Sequence, residues 1–346
     1  GQKALKGSAS TTAGANYSVA VGYEALQDLT SGASCLGIGY RAMSANTTGQ
    51  DNIAIGFDSL LNLNHANSVR NTVIGNYAGD GMGTLDGNAD NIIIGHVAGS
   101  GTWATASSKK NIVIGNYALN AACNGALENV AIGYQALTDL TEGDSNVAIG
   151  MQALQNVTTG VQNVAVGSGA GNDINVAGEC VAIGFNSGSS ITDHGRSVFV
   201  GHNAGANQEG ETNVYIGKDC ALGSSGSNND ATVAIGFEAG KALASASSSV
   251  IIGYQSGLSI SSGGGHVIIG RAAGDAMTTM TDTVLIGYNA GSSLNNTDAN
   301  GTTIIGRDAG ENLVSGIGVT LIGNRAGNLM TGGYNTALGY YALATQ

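Results

Sequence analysis

One short phrase recurs nineteen times along this chain of 346 residues, and any fold must give every copy an equivalent place. It reads Asn129-Val-Ala-Ile-Gly133-Tyr-Gln-Ala-Leu137, then Asn146-Val-Ala-Ile-Gly150-Met-Gln-Ala-Leu154, and far downstream Thr283-Val-Leu-Ile-Gly287-Tyr-Asn-Ala-Gly291. Its central glycines are Gly22, Gly39, Gly56, Gly75, Gly95, Gly115, Gly133, Gly150, Gly167, Gly184, Gly201, Gly217, Gly236, Gly253, Gly270, Gly287, Gly306, Gly323 and Gly339. They stand 16 to 20 residues apart, most often 17, and the copies run from about residue 16 to Leu343. Self-similarity at a fixed short period marks a stacked repeat architecture, in which each unit buries its core only against its neighbours. It leaves no room for a separate catalytic domain.

Aligned on that glycine, the copies act as nineteen observations of one position. The residue before it is Ile in fifteen copies, and the residue three before it is apolar in fifteen and Thr in four. These two places are two apart, the period of a strand face, and β-branched residues dominate them. The residue between them is never charged, so the strand is apolar on both faces and should be buried on both. Three residues after the glycine stands Ala, Ser or Cys in every copy, which implies a tight contact; the next residue is Gly in eleven copies and Leu in six. Seven residues after the glycine another apolar side chain is frequent, and turn-forming Gly, Ser, Thr, Asn and Asp fill the rest. The invariant glycine reads as a corner needing positive φ or close backbone approach. The fold class is therefore all-β, a parallel β-solenoid or β-roll of about nineteen short coils, with residues 1–15 as a lead-in and residues 16–346 as one continuous solenoid.

Composition agrees. The chain holds 57 Gly and no Pro, without the every-third-residue period of collagen, and 42% of residues are apolar, which argues against disorder. Net charge is −12, with no long basic run, so nucleic acid is not an expected partner. No stretch of about 18 apolar residues spans a membrane, and the first residues lack the apolar core of a signal peptide. Cys35, Cys123, Cys180 and Cys220 are spaced for neither a zinc site nor a disulfide framework and read as packing residues. A 17-residue coil encloses little core, and its second apolar strand face asks for cover. Association of parallel copies supplies it, with the Ala/Ser/Cys row expected at the contact.

Ser18-Val-Ala-Val-Gly22, Asn52-Ile-Ala-Ile-Gly56 and Asn335-Thr-Ala-Leu-Gly339-Tyr-Tyr-Ala-Leu343 resemble the head repeats of trimeric autotransporter adhesins, and equally the repeat arrays of phage tail-fibre proteins. The resemblance implies a left-handed parallel β-roll, a homotrimeric rod, displayed extracellularly on a virion or bacterial surface and serving attachment to a host receptor or glycan. The unit here is longer than the usual adhesin-head coil. A purely structural extracellular filament subunit is the alternative, and an ice-binding solenoid a further one, although its Thr rows are replaced here by Val-Ala-Ile.

No catalytic constellation is legible: His65, His96, His194, His202 and His266 lie on separate coils, without a nucleophile elbow or phosphate loop. No cofactor is expected. Asp80, Asp86 and Asp90, in one glycine-rich loop, offer oxygen ligands suited to calcium. Asn recurs four residues before the glycine in nine copies and could form an amide ladder. Nine copies carry an aromatic residue just after the glycine, suited to packing between coils or chains or to stacking sugar rings. The three longest intervals run from Gly56 to Gly115 and contain the only Trp, so Trp103, Lys109, Lys110, His65 and Arg70 are the candidate receptor-binding residues on a local protrusion.

Overall fold

The computed structural model describes residues 1–6, 16–83, 87–103, 106–193 and 195–344. The chain forms two units, Gly1–Gly178 and Glu179–Gln346. The first carries nine three-residue strands, β1 (Val19–Val21) to β9 (Val164–Val166), and the second carries ten, β10 (Val181–Ile183) to β19 (Thr336–Leu338). Within each unit consecutive strands pair in parallel and in the same register, as in Ala131↔Ala148 and Ile251↔Ile268. Each residue therefore lies beside the residue of the same repeat position one coil on. Each unit is a β-solenoid. The one helical segment among the described residues is a 3-10 turn, Thr297–Ala299.

Four places in each coil need a left-handed backbone. The corner glycine has φ between +123° and +145° in all nineteen copies. Only glycine populates that region readily, and the stacking adds a second bar. A Cβ on Gly150 would stand 2.4 Å from the carbonyl oxygen of Gly167 in the next coil. The residues two and four after the corner, and the residue five before it, are also left-handed, as at Gln152, Leu154 and Ser145. Sequence reading located the first of these four and missed the others. The same signature appears at the start of the chain: Lys3 and Leu5 have φ of 60° and 50°, and Leu5 N–H donates to Ala25 O at 3.0 Å. Residues 1–5 thus repeat the corner segment Gly-x-x-Ala-Leu; residues 7–15 of the lead-in expected from the sequence lie outside the described residues.

The core is one side chain thick. Its main contributors are the middle strand residue, the small residue three after the corner, the residues four and seven after it, and the Asn four before it, buried in most coils, as Ala148, Ala153, Leu154, Val157 and Asn146 are. The Ala/Ser/Cys row, expected between chains, faces inward: Cys220 Sγ donates to Ala234 O at 3.0 Å and Ser59 Oγ to Val73 O at 3.3 Å. Their size limit is set by the strand backbone of the next coil.

The alternation of Gly and Leu four after the corner has a volumetric cause. That place sits between the middle strand residues of its own coil and of the next. A Cβ at Gly205 would lie 2.4 Å from the Phe199 ring and 2.8 Å from Tyr215, and one at Gly291 would lie 3.1 Å from Leu285 and 3.3 Å from Ile304. Leucine stands where small residues leave room, as Leu26 does between Ala20 and Gly37; a Cβ at Gly37 would meet Leu26 at 2.9 Å. Leucine in a left-handed conformation costs about 1–2 kcal/mol, and burying it returns about 1.5–3 kcal/mol. The balance is close, so the side chains around the slot decide it; at Gly171, between Ala165 and Ala182, these are Ile174 and Leu154, each 2.8 Å from where a Cβ would stand.

Beside this apolar core runs a buried amide ladder. The Oδ1 of Asn52 accepts from both the backbone N–H and Nδ2 of Asn71, each at 3.0 Å, and Asn71 Nδ2 also donates to Asn88 O at 2.8 Å. The pattern continues rung by rung through Asn91, Asn111, Asn129 and Asn146 to Asn163. Each amide ties its strand to the previous rung and to a return turn. In the second unit the same row holds Ser197, Asn213, Thr232, Ser249, His266, Thr283 and Thr302, all buried. Cys35 and Cys180 occupy this row as well, and the four cysteines are buried and form no disulfide. Desolvation raises the Cys123 and Cys220 thiols to about 12, which leaves them inert as nucleophiles.

Candidate functional site: the outward strand face

The strands bury their middle residue and turn the two flanking residues outward, half-exposed. In the first unit this outward face carries eighteen positions, all apolar except Thr72; the second carries twenty, with Thr303, Thr320 and Thr336 polar. The surfaces left open in each unit are mostly those of β-branched side chains, one row to each side of the buried middle residue: Ile114 and Ile149 in the first unit are 37% and 38% exposed, and Ile183 in the second 40%. Burial of both strand faces, expected from the sequence, is not met within one chain. Contiguous apolar surface of this extent marks an interaction site in soluble proteins.

Two different edges frame the face. Along one run the residues just after the corner. In the first unit these, or the next residue along where Asn76 and Asn116 follow the corner, form a continuous aromatic series, Tyr23, Tyr40, Phe57, Tyr77, His96, Tyr117 and Tyr134, with centroids 4.8 to 6.1 Å apart. Tyr23, Tyr40 and Phe57 lie nearly parallel, at interplanar angles of 10°. Their ring faces are turned against one another along the stack, so they offer edges and not faces outward. In these three rings that geometry serves packing between coils; the pairs from Tyr77 to Tyr134 meet edge-on instead, at 73° to 85°. In the second unit cations join the series: Arg271 lies 5.5 Å from the Tyr254 centroid and 5.2 Å from that of Tyr288, and Arg307 lies 5.5 Å from Tyr288.

The other edge is the left-handed row five before the corner. In five successive coils of the first unit it alternates in sign: Asp51, Arg70, Asp90, Lys110, Glu128. Arg70 binds Asp90 through two hydrogen bonds, Nε to Oδ1 at 2.6 Å and Nη2 to Oδ2 at 2.9 Å, and Lys110 Nζ reaches Glu128 Oε1 at 2.8 Å. These bonds hold the Asp90 and Glu128 carboxyls below their ordinary range. Exposed pairs of this kind are worth about 0–1 kcal/mol each, so the row tunes register and solubility more than stability.

The residues singled out in the long coils do not form the expected patch. Trp103 is fully buried inside the coil, where its ring fills the interior widened by the extra residues; a Cβ at Gly99 would lie 3.4 Å from its Cζ2. It is a core residue and not a surface anchor. Arg70 and Lys110 are exposed but engaged in the charged row, Lys109 is half-buried in a bridge between Ala89 and Leu127, and His65 is half-buried with its Nδ1 accepting from Asn67 N–H. Of the calcium candidates, Asp90 is committed to Arg70, Asp86 lies outside the described residues, and partial burial raises the Asp80 carboxyl above its ordinary range. Among the described residues, no three His, Cys, Asp or Glu side chains come together as a metal site would need. His194 also lies outside the described residues, and no described helix is long and apolar enough to cross a membrane.

Sequence reasoning missed the charged row, because its members are 18 to 20 residues apart and their alternation shows only when copies are aligned five before the corner. No family model matches the chain, and no curated protein matches it.

Proposed function

We propose that this chain is a structural and adhesive fibre protein whose copies associate in parallel through the outward strand faces, as a homotrimer, and present a host-attachment surface outside the cell, on a phage tail fibre or a bacterial surface. The observation that carries the association is the pair of uncovered Val/Ile rows. Fully burying one such side chain is worth about 1.5–3 kcal/mol, so covering the remaining third of each across many rungs outweighs the cost of bringing copies together. Parallel alignment follows because every coil presents the same row at the same height. The number three and the extracellular setting come from the resemblance of the repeat to adhesin heads and fibre arrays.

A second reading, a purely structural filament subunit, gains from the burial of Trp103 and the internal pairing of Arg70 and Lys110, which remove the most distinctive contact residues. Sedimentation of the full chain at micromolar concentration tests the association; the expected mass is three times 34.2 kDa. Ile132→Lys with Ile149→Lys, both on the outward rows, should shift the mass to one copy while leaving the β-type circular dichroism intact. A wild-type monomer sinks the proposal. Binding of the assembled protein to host cells or a glycan array then separates attachment from the filament reading.

A further inference from the structure

Four fully buried side-chain donors in the first unit lack any protein partner: Ser68 Oγ, Asn88 Nδ2, Trp103 Nε1 and Ser108 Oγ. All four belong to the three longest intervals, from Gly56 to Gly115. Ser68, Asn88 and Ser108 each stand seven residues before a corner glycine, so they occupy one repeat position on successive rungs. In other 17-residue coils that position is apolar, at Ala177, Ala246 and Met280, and in the two coils between Gly133 and Gly167 it is Gly143 or Gly160. There a polar side chain has no space, since a Cβ at Gly143 would meet Leu140 Cδ1 at 2.7 Å. The two or three extra residues of the long coils open the interior enough to admit one.

The acceptors of these residues are already used. The carbonyls of Ser68, Asn88 and Ser108 accept from Asn52, Asn71 and Asn91 of the amide ladder at 2.8 to 3.0 Å, and Asn88 Oδ1 accepts from Ser108 N–H at 2.9 Å. What remains is a column of unpaired N–H donors and two serine hydroxyls, which can donate or accept.

The second unit contains a matched case with a different outcome. Asn229 also stands seven before a corner, and its Oδ1 accepts from Ala246 N–H as that of Asn88 does from Ser108. Its Nδ2, however, donates to Gln208 Oε1 at 2.5 Å. Gln208 stands seven after the corner of the preceding coil, and the residue at the corresponding place before Asn88 is Leu63, which is buried and offers no acceptor.

We infer that the interior of these long coils is a binding site for ordered water, which takes from Asn88 Nδ2 the hydrogen bond that Gln208 takes from Asn229. Groups one rung apart, about 4.8 Å, are too distant for a direct hydrogen bond and suited to one bridging water. The hydroxyl of Ser68 or of Ser108, one rung to either side, gives such a water its second polar partner, the least that a buried water needs. A neutral ligand fits better than an anion, because an unpaired charge is far more costly to bury than water.

A crystal structure of the full chain, grown with sodium bromide in place of chloride, tests this directly. The expected result is a water within hydrogen-bond distance of Asn88 Nδ2 and no anomalous bromide peak. A bromide peak there, or a dry interior, overturns the proposal. The companion variants are Leu63→Gln and Leu140→Gln, both changing a fully buried Leu seven after a corner. Leu63→Gln should replace the water with its own Oε1 and lose several degrees less in Tm than Leu140→Gln, which finds no waiting donor at Gly160. Equal losses would also overturn it.

Discussion

The shared core slot between Leu154, Ala148 and Ala165 gives a quantitative test of how this solenoid packs. Leu154 is fully buried in a left-handed conformation, and its Cδ2 lies 2.8 Å from where a Cβ on Gly171 would stand. Leu154→Gly removes a buried side chain, a loss of about 2–5 kcal/mol by the cavity rule, and relieves about 1–2 kcal/mol of backbone strain. Ala165→Ile by itself overpacks the slot and should cost about 1–3 kcal/mol. Together they reproduce the natural arrangement of Ile93, which is flanked by Gly79 and Gly99. The double variant should therefore be more stable than the sum of the single losses by about 0.5–3 kcal/mol. Because solenoid stability is local, native-state hydrogen exchange of the Val147 and Val164 amides is the appropriate measurement, at one protein concentration throughout. Additivity within about 0.5 kcal/mol would refute the shared slot.

Three further outcomes follow from the same geometry. Gly150→Ala, with φ +140° and a Cβ 2.4 Å from the next carbonyl, should destabilise by more than 3 kcal/mol, roughly the top of the range for backbone strain, whereas Ser145→Gly, at φ +58°, should stabilise slightly; paired thermal melts decide. Asn146→Ala strips the side-chain partners of Gly160 O and of the Asn163 backbone N–H, while Asn163 Nδ2 keeps Ala177 O, and should cost roughly 2–6 kcal/mol, at about 1–3 per orphaned group, read as lost exchange protection in that coil. His266 is buried, with ring Nδ1 against Thr283 Oγ1 at 2.8 Å and its backbone N–H donating to Ser249 Oγ; desolvation lowers its pKa below the ordinary 6.5, while Met280 and Asp282 pull the other way. The unfolded chain then binds the proton more readily, so stability is full above pH 6.5 and falls as pH drops below it. Melts from pH 7.5 to 5 should show this loss, and His266→Asn should abolish it.

Much of the cross-section was legible because nineteen copies average out local accident. The strand, the corner glycine and the amide row all follow from which residue types a position tolerates. The inner and outer sides of the small residues were not legible. Cys220 and Ala153 declare a tight contact in sequence, but tolerance of size alone does not say whether the neighbour is the same chain or another. Trp103 misled for a related reason: a lone aromatic in a polar stretch reads as exposed, while the extra residues around it had widened a coil that needed filling. The charged row was present in the sequence and hidden by the variable interval.

The sequence by itself determined the repeat, its strand, and the parallel stacking of like on like, since a 17-residue unit with one invariant corner has no other way to bury its apolar residues. Only the tertiary structure decided which apolar row faces inward. Side chains alternate along a strand, so three consecutive apolar residues are ambiguous until the corner geometry turns the middle one in. That turn leaves the Val and Ile rows outside, and so places the candidate interaction face where the chain cannot cover it alone.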